Sequence, residues 1–216
     1  MTRFFVTGTD TGVGKTEISA ALLSAMARRQ LRPFAFKPFE SGGTGDADTL
    51  REAAGGWQAL GSVCLYRLRR PLAPAIAARL ERRSVDVTRV LRHFSRLGPG
   101  AGVVEGAGGL FVPLTPRVDV IDLAARLALP VVLVARAGLG TINHTTLSLQ
   151  ALATRGLEVA AVVLSQGVRV ADPSVPWNRA ELERRFPRVR FLGPAPFVRA
   201  RRARRAMLEA LVAPLL

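Results

Sequence analysis

The stretch Gly8-Thr9-Asp10-Thr11-Gly12-Val13-Gly14-Lys15-Thr16 constrains this chain more than any other. Arg3 to Thr7 ahead of it is short and apolar and reads as a buried strand. Glu17 to Arg29 behind it carries Ile18, Leu22, Leu23 and Met26 on one face and reads as a helix. A strand, a glycine-rich turn, Gly-Lys-Thr and a helix form the context that a phosphate-binding loop (P-loop) requires. The glycines let backbone N–H groups approach phosphate oxygens with no Cβ in the way. The helix N-terminus adds free donors and the positive end of its dipole. In that context Lys15 reaches the β- and γ-phosphates and the Thr16 hydroxyl holds Mg²⁺. Five residues separate Gly8 from Gly14, one more than the usual motif has. The plain alternative is a glycine-rich turn that merely starts a helix, and it gives Gly-Lys-Thr at the junction no task.

With 216 residues and 49% hydrophobic content, residues 1–216 are expected to form one domain with a substantial core. No apolar run reaches the roughly 18 residues that cross a bilayer. The N-terminus runs straight into the strand and loop and does not read as a signal peptide. Cys64 is the only cysteine, so no internal disulfide forms, and a cytoplasmic location is expected. No motif surrounds Cys64, which reads as a packed thiol. The net charge of +15 opens a nucleic-acid reading, but the kind of charge is more informative. The chain has 29 Arg and only two Lys, Lys15 and Lys37. Arg is a rigid fork, whereas Lys is a compact, flexible point charge. Lys37 is therefore expected to do something that Arg cannot.

Pro33 to Pro38 reads as a strand ending at Lys37, which places Lys37 and Glu40 to Gly43 beside the P-loop. Gly45 to Leu50 reads as an acidic loop opening a helix, where Asp46 or Asp48 could complete a Mg²⁺ shell or cap the helix. Trp57 to Arg70 looks irregular, and Pro74 to Arg83 and Val87 to Leu97 read as helices, with His93 at the surface. Ala101 to Gly109 reads as a strand with Glu105 at its carboxyl end, where such enzymes carry a second acidic group. Val118 to Leu129 reads as a helix with Asp119 and Asp122 near its start. Pro130 to Ala135 is fully apolar, as in a parallel sheet covered on both faces. Asn143 reads as the N-cap of a helix to Arg155, behind the glycines Gly138 and Gly140. Glu158 to Ser165 is a strand followed by Gln166. Ala171 to Trp177 reads as a proline-rich loop and Arg179 to Phe186 as a short helix. Val189 to Leu192 is a last strand before Pro194 and Pro196, and Arg199 to Val212 is a basic helix. Alternating strands and helices with short connections predict a doubly wound, mostly parallel α/β sheet with helices on both faces.

Together the P-loop, Lys37-Pro38 with Ser41-Gly42, Val104 to Gly109, and Leu139 to His144 resemble the dethiobiotin synthetase family in order and spacing, from the first strand to about residue 165. The longer loop gap is a trait of that family. The resemblance implies an ATP- and Mg²⁺-dependent ligase of biotin biosynthesis. One amine of 7,8-diaminopelargonate takes up CO₂, the carbamate is phosphorylated, and the second amine closes the cyclic urea of dethiobiotin. It implies Lys15 and Lys37 on the phosphates and carbamate, Thr11 and Ser41 at the substrate amines or carbamate, and a metal set of Thr16, Asp48 and Glu105. It implies nucleotide contacts from Gly12, Val13, Gly14, Lys15, Thr16, Glu17, Gln166 and Pro196. Gly140, Thr141, Ile142 and Asn143 would bind the far carboxylate of the substrate across a homodimer interface. Gln166 stands where many members have Asn, which predicts relaxed nucleotide preference. A tyrosine that some members carry has Leu182 as its nearest equivalent.

Three rivals are weighed. Amidoligases of cobalamin synthesis share this loop type but need an amidotransferase domain for which 216 residues leave no room. A partition-type ATPase expects a lysine where Asp10 stands. A nucleic-acid-binding protein would use the run Arg199, Arg201, Arg202, Arg204 and Arg205, yet no aromatics interleave it, and it reads as a solvated basic face.

Overall fold

The apolar runs around residues 4–6, 103–104, 131–135 and 161–164 become strands buried on both faces. The computed structural model describes residues 2–43, 45–167 and 172–216, apart from the side chain of Arg201. The first half runs through β1 (Arg3–Gly8), α1 (Lys15–Arg28), β2 (Phe34–Phe36), β3 (Phe39–Ser41), α2 (Asp46–Ala53), α3 (Leu60–Val63), β4 (Tyr66–Leu68), α4 (Pro74–Leu80), α5 (Val87–Arg96) and β5 (Gly102–Gly109). The second half runs through β6 (Pro113–Thr115), β7 (Val118–Asp119), α6 (Val120–Leu127), β8 (Val131–Arg136), α7 (Thr141–Thr154), β9 (Val159–Ser165), α8 (Val175–Arg185), β10 (Phe191–Ala195) and α9 (Arg201–Val212).

Side chains alternate across a strand, so each apolar run feeds two cores. Phe5, Val104, Leu133 and Leu164 pack with Val90, Ile121, Leu152 and Leu182 of α5, α6, α7 and α8. Phe4, Val103, Val134 and Val163 pack on the other side with Leu22, Leu50 and Leu208 of α1, α2 and α9. The result is the doubly wound sheet expected from the alternation. Its six strands run β10-β9-β8-β1-β5-β2, and every neighbouring pair is parallel. The chain starts in the middle at β1, goes out to the edge at β2, returns through β5, and then crosses to β8. The order therefore reverses around β1, which sets the crevice at the carboxyl ends of β1, β5 and β8.

Several element expectations are corrected. The segment read as irregular holds α3 and β4, and β4 pairs parallel with β3. Part of the stretch read as a proline-rich loop is the first turn of α8, because Pro176 sits where no intrahelical N–H is needed; Ala171 lies outside the described residues. Helix α7 starts at Thr141 with Gly140 as its cap at φ 89°, so Asn143 lies in the first turn and is not the N-cap. His93 is half-buried: its ring lies 5.2 Å from that of Phe36, and Nε2 is 2.8 Å from the Ser62 carbonyl oxygen. Asp119 and Asp122 form a capping box at the start of α6.

Candidate active site

The P-loop turns between β1 and α1 in the way its glycines allow. Gly12 and Gly14 have φ of 74° and 97°, a region that costs other residues energy. A Cβ on Gly8 would come within 2.8 Å of the Asp10 carbonyl oxygen, so the loop closes on its own backbone there. Lys15 is buried under it, and its Nζ donates to the Asp10 carbonyl at 3.0 Å. Burial lowers the pKa of Lys15; Glu105 opposes that shift and Lys37 adds to it.

Lys37 and Glu105 meet because their strands are in register. Phe36 of β2 pairs with Val104 of β5, so the next residue of each emerges at the same level. Lys37 Nζ lies 2.5 Å from Glu105 Oε1 and 3.1 Å from Asp46 Oδ2. Thr16 Oγ1 donates to the same Glu105 oxygen at 2.8 Å. Burial pulls the Lys37 pKa down, but the charges and hydrogen bonds of Glu105 and Asp46 outweigh it and hold the ammonium above its ordinary range. One carboxylate thus ties the end of the P-loop to the lone remaining lysine.

The acidic residue that joins this cluster is Asp46, whereas Asp48, expected in the metal set, lies outside it. Two steps along a helix turn a side chain by about 200°, so both cannot face Lys37. Asp48 Oδ2 lies 3.6 Å from Arg67 Nη2, on the outer side of α2. Glu40 Oε1 accepts from the Asp46 backbone N–H at 3.0 Å and fixes the start of the helix. Ser41 ends β3, and its buried Oγ has no hydrogen-bond partner among the described residues. Thr11 is exposed on the loop, and a Cβ on Gly108 would lie 3.3 Å from its Oγ1.

The same corner fits Mg²⁺. Glu105 is fully buried and its Oε2 has no hydrogen-bond partner among the described residues. Thr16, Glu105 and Asp46 offer hard oxygen donors of the kind Mg²⁺ takes together with substrate phosphates. Among the described residues no cluster of three or more His, Cys, Asp or Glu side chains could hold a metal by itself. One or two carboxylates plus phosphates make such a cage unnecessary.

The far side of the loop is formed by β9 and β10. A Cβ on Gly14 would lie 3.1 Å from Ser165 Oγ, so the P-loop rests on the end of β9. A cavity of about 380 Å³ opens there between Gly12, Val13, Ser165, Gln166 and Leu139. Gln166 is half-buried, its N–H donates to the Ala195 carbonyl at 2.9 Å, and Pro196 follows directly. Glu17, in the first turn of α1, points its Oε2 within 3.5 Å of where a Gly14 Cβ would stand. Glu17, Gln166 and Pro196 share one partner that the sequence did not single out, Arg204 of α9. Arg204 is buried, which corrects its reading as part of a solvated face. Its spacing with Leu208 and Val212, both buried on the same helix, was the available signal. Leu182 is fully buried in the core, away from this site.

A second groove of about 320 Å³ lies on the opposite side of Thr11, between Leu110, Phe111, His144 and Leu147. The residues Gly140 to Asn143 follow the carboxyl end of β8 and open α7; the groove is lined by His144 and Leu147 of that helix and not by these four. Thr141 is buried and its hydroxyl lies 3.3 Å from that of Thr145, whereas Asn143 is exposed. The loop is held from behind: Asp172 accepts from the Leu139 N–H at 2.7 Å, and Asn178 Nδ2 donates to the Ala137 carbonyl at 2.8 Å. Cys64 is packed as expected, with burial first among the causes that push its thiol up to about 11.

Comparisons with known proteins meet this geometry. The chain is 52% identical over 190 residues to the ATP-dependent dethiobiotin synthetase of Anaeromyxobacter dehalogenans strain 2CP-C, covering 85% of each chain. It is 36% identical over 216 residues to that of Bacillus thuringiensis strain Al Hakam, covering 97% of this chain and 89% of the relative. This chain belongs to the dethiobiotin synthetase family. Residues 2–202 also match the model of an AAA domain family. A solved structure from Borrelia burgdorferi B31, described as a plasmid partition protein bound to AMPPNP, aligns over 100% of this chain and 99% of its own with a TM-score of 0.53. At 10% identity that likeness concerns the fold alone. No helix among the described residues is long and apolar enough to cross a membrane.

Proposed function

We propose that this chain makes dethiobiotin from 7,8-diaminopelargonate, CO₂ and ATP, releasing ADP and phosphate. Its relatives are named ATP-dependent dethiobiotin synthetases. The single observation that carries the reading at the level of chemistry is Lys37, buried and fully charged between Glu105 and Asp46, beside the P-loop lysine.

The substrate amine takes up CO₂, and the carbamate that forms is an anion that must approach the γ-phosphate of ATP. Two anions repel, so the site must supply fixed positive charge without reorganisation. Lys15 neutralises the triphosphate from within the loop. Lys37 meets the carbamate oxygens and follows the phosphoryl group as its bond to the ADP oxygen breaks and its bond to the carbamate oxygen forms. Thr16, Glu105 and Asp46 are the residues that would hold Mg²⁺. Bound there, the metal supplies charge neutralisation to the β- and γ-phosphate oxygens. Thr11 and Ser41 orient the amines. The second amine then attacks the carbamoyl phosphate carbon and expels phosphate, which closes the urea ring. Positioning accounts for most of the gain in such a reaction.

The groove beside Thr11, with Leu110 and Leu147, suits the alkyl chain of the diamine. Phe111 and Leu147 are large, apolar and exposed along it, and Leu139 is exposed in the loop before α7, which supports a homodimer that covers these side chains and brings Gly140 to Asn143 of each copy to the other's substrate carboxylate. Nucleotide binding falls to Gly12 to Glu17, Gln166 and Pro196, within one domain working in the cytoplasm. The test is phosphate release from ATP, Mg²⁺ and bicarbonate with and without the diamine. Release that depends on the diamine, with dethiobiotin appearing in step, is expected. Release independent of the diamine sinks the proposal.

A further inference from the structure

The basic helix at the C-terminal end is not uniformly solvated. Arg204 is 7% exposed and spends four of its donor positions on the far end of the loop region. Nε and Nη2 grip the two oxygens of Glu17 at 2.6 and 2.5 Å. Nη1 donates to the Pro196 carbonyl at 3.0 Å and Nη2 also reaches the Gln166 carbonyl at 3.4 Å. Its guanidinium carbon lies 5.9 Å from the centre of the Phe197 ring. One planar fork therefore joins the first turn of α1 to the carboxyl ends of β9 and β10. The first two of these segments border the P-loop, through Glu17 and Ser165 against Gly14.

We infer that Arg204 is a positioning residue for the nucleotide: it sets the walls of the base and sugar pocket and neutralises Glu17 beside the triphosphate. The inference rests on the proposed nucleotide roles of Glu17, Gln166 and Pro196. Two physical effects support it. Glu17 is an acid in the first turn of the helix that receives the phosphates, and an unpaired carboxylate there repels the incoming anion. The bidentate pair offsets that charge and fixes the carboxylate in one place beside Gly14. The carbonyls of Gln166 and Pro196 sit on segments without regular secondary structure after their strands. A shared donor holds them at one spacing, which pre-forms the pocket and lowers the ordering cost of binding. Lysine could keep the charge but has neither the planar fork nor enough donors for this set.

Helix α9 does not depend on Arg204 for its place. Leu208 and Val212 are buried in the core with α1, and Glu209 pairs with Arg28 at 2.9 Å. Substitutions at position 204 can therefore be read in a folded chain.

The experiment measures binding of a non-hydrolysable ATP analogue by calorimetry, together with KM for ATP and for the diamine, in Arg204→Met, Arg204→Lys, Glu17→Gln and the exposed neighbour Arg205→Met. Arg204→Met is expected to weaken the analogue by about 10-fold or more, the scale of a lost charged hydrogen-bond set. KM for ATP should rise in parallel while KM for the diamine stays within about twofold. Arg204→Lys should recover only part of the loss, and Arg205→Met should match wild type. Adding Glu17→Gln to Arg204→Met should restore part of the affinity, because it removes the unpaired charge. Wild-type affinity in a folded Arg204→Met protein, or equal losses for both substrates, would overturn the inference. If the unsubstituted chain binds no ATP analogue at all, the proposed function fails with it, and that outcome is distinct because it appears before any variant is made.

Discussion

The two ends of the candidate nucleotide site are built by different means. The phosphate end uses nine contiguous residues plus Lys37 and Glu105, each placed one step beyond a pair of registered strand residues. The base end is closed by Glu17 and Arg204, which lie 187 positions apart. At the phosphate end the backbone does much of the binding, so the sequence must supply glycines and lysine in fixed order. At the proposed base end a side-chain pair and two carbonyls hold the segments together, and many different pairs could serve. Chemistry that uses the main chain leaves a motif; chemistry that uses tertiary partners leaves only a contact.

The largest expected effect would break this comparison at its stronger side. Lys37→Arg keeps the charge but puts a bulky fork into a space where Nζ touches Glu105 and Asp46. Turnover should fall by about 100- to 1,000-fold, the usual loss when a fixed donor at developing charge is removed. Overpacking at a buried site costs about 1–3 kcal/mol, so the chain should stay folded with a lowered thermal midpoint, and steady-state kinetics with a melting curve decide it. An active Arg variant would show that the phosphate end tolerates substitution as the base end does. Next in size is Glu105→Gln, which removes the anion shared by Lys37 and Thr16. The Mg²⁺ concentration for half-maximal rate should rise by about 10- to 100-fold. An unchanged Mg²⁺ requirement would leave Glu105 with a structural task only.

Smaller effects sharpen the comparison. Asp46→Asn should raise the Mg²⁺ requirement by about 10-fold, whereas Asp48→Asn, facing Arg67, should leave it within about twofold. The reverse order would restore Asp48 to the metal set. Alkaline pH separates the two lysines. Burial depresses Lys15 in the folded chain, so the unfolded state holds its proton to higher pH and stability from this group rises with pH across the window below 10.5. The ammonium that the triphosphate needs is lost in the same window, so ATP affinity should fall while the fold strengthens. Lys37 has the opposite sign: its contribution is fully present below 10.5 and is lost only above the ordinary lysine range. Titrating ATP affinity and melting temperature together from neutral to alkaline pH checks both, and a parallel decline of the two would refute the assignment for Lys15.

Much of the fold could be read before the structure, for identifiable reasons. Fully apolar runs such as Val131 to Ala135 leave a parallel strand little alternative, and the nine P-loop residues fix a junction. Glu105 was legible because an acid among Val-Val and Gly-Ala-Gly-Gly has no solvated role. The choice between Asp46 and Asp48 was not, because it depends on where α2 begins. That start is set by Glu40 reaching the Asp46 N–H from another segment. The short β3–β4 pair was hidden for a related reason: three-residue strands have too little pattern to stand out from a loop. Arg204 was hidden in its own composition, since 29 arginines mask an arginine that, among the described residues, is buried.

The smallest prediction concerns a place where local chemistry was read correctly in kind and wrongly in position. Asn is a favoured N-cap, and replacing a working cap by Ala costs about 1 kcal/mol. Here the cap position belongs to Gly140 at φ 89°, and Asn143 sits exposed in the first turn. Asn143→Ala should therefore shift stability by less than about 0.5 kcal/mol, as an ordinary surface change does. Gly140→Ala should cost about 1 kcal/mol or more, because alanine must be forced into the left-handed region. Denaturant melts of the two variants give the ranking directly. If Asn143→Ala proved the more damaging, the helix would start later in solution, and the proposed carboxylate site at Gly140 to Ile142 would lose its backbone donors. The same pair in the diamine assay separates stability from binding: under the proposed carboxylate role, Gly140→Ala should raise KM for the diamine beyond its effect on folding, because a shifted cap redirects those donors.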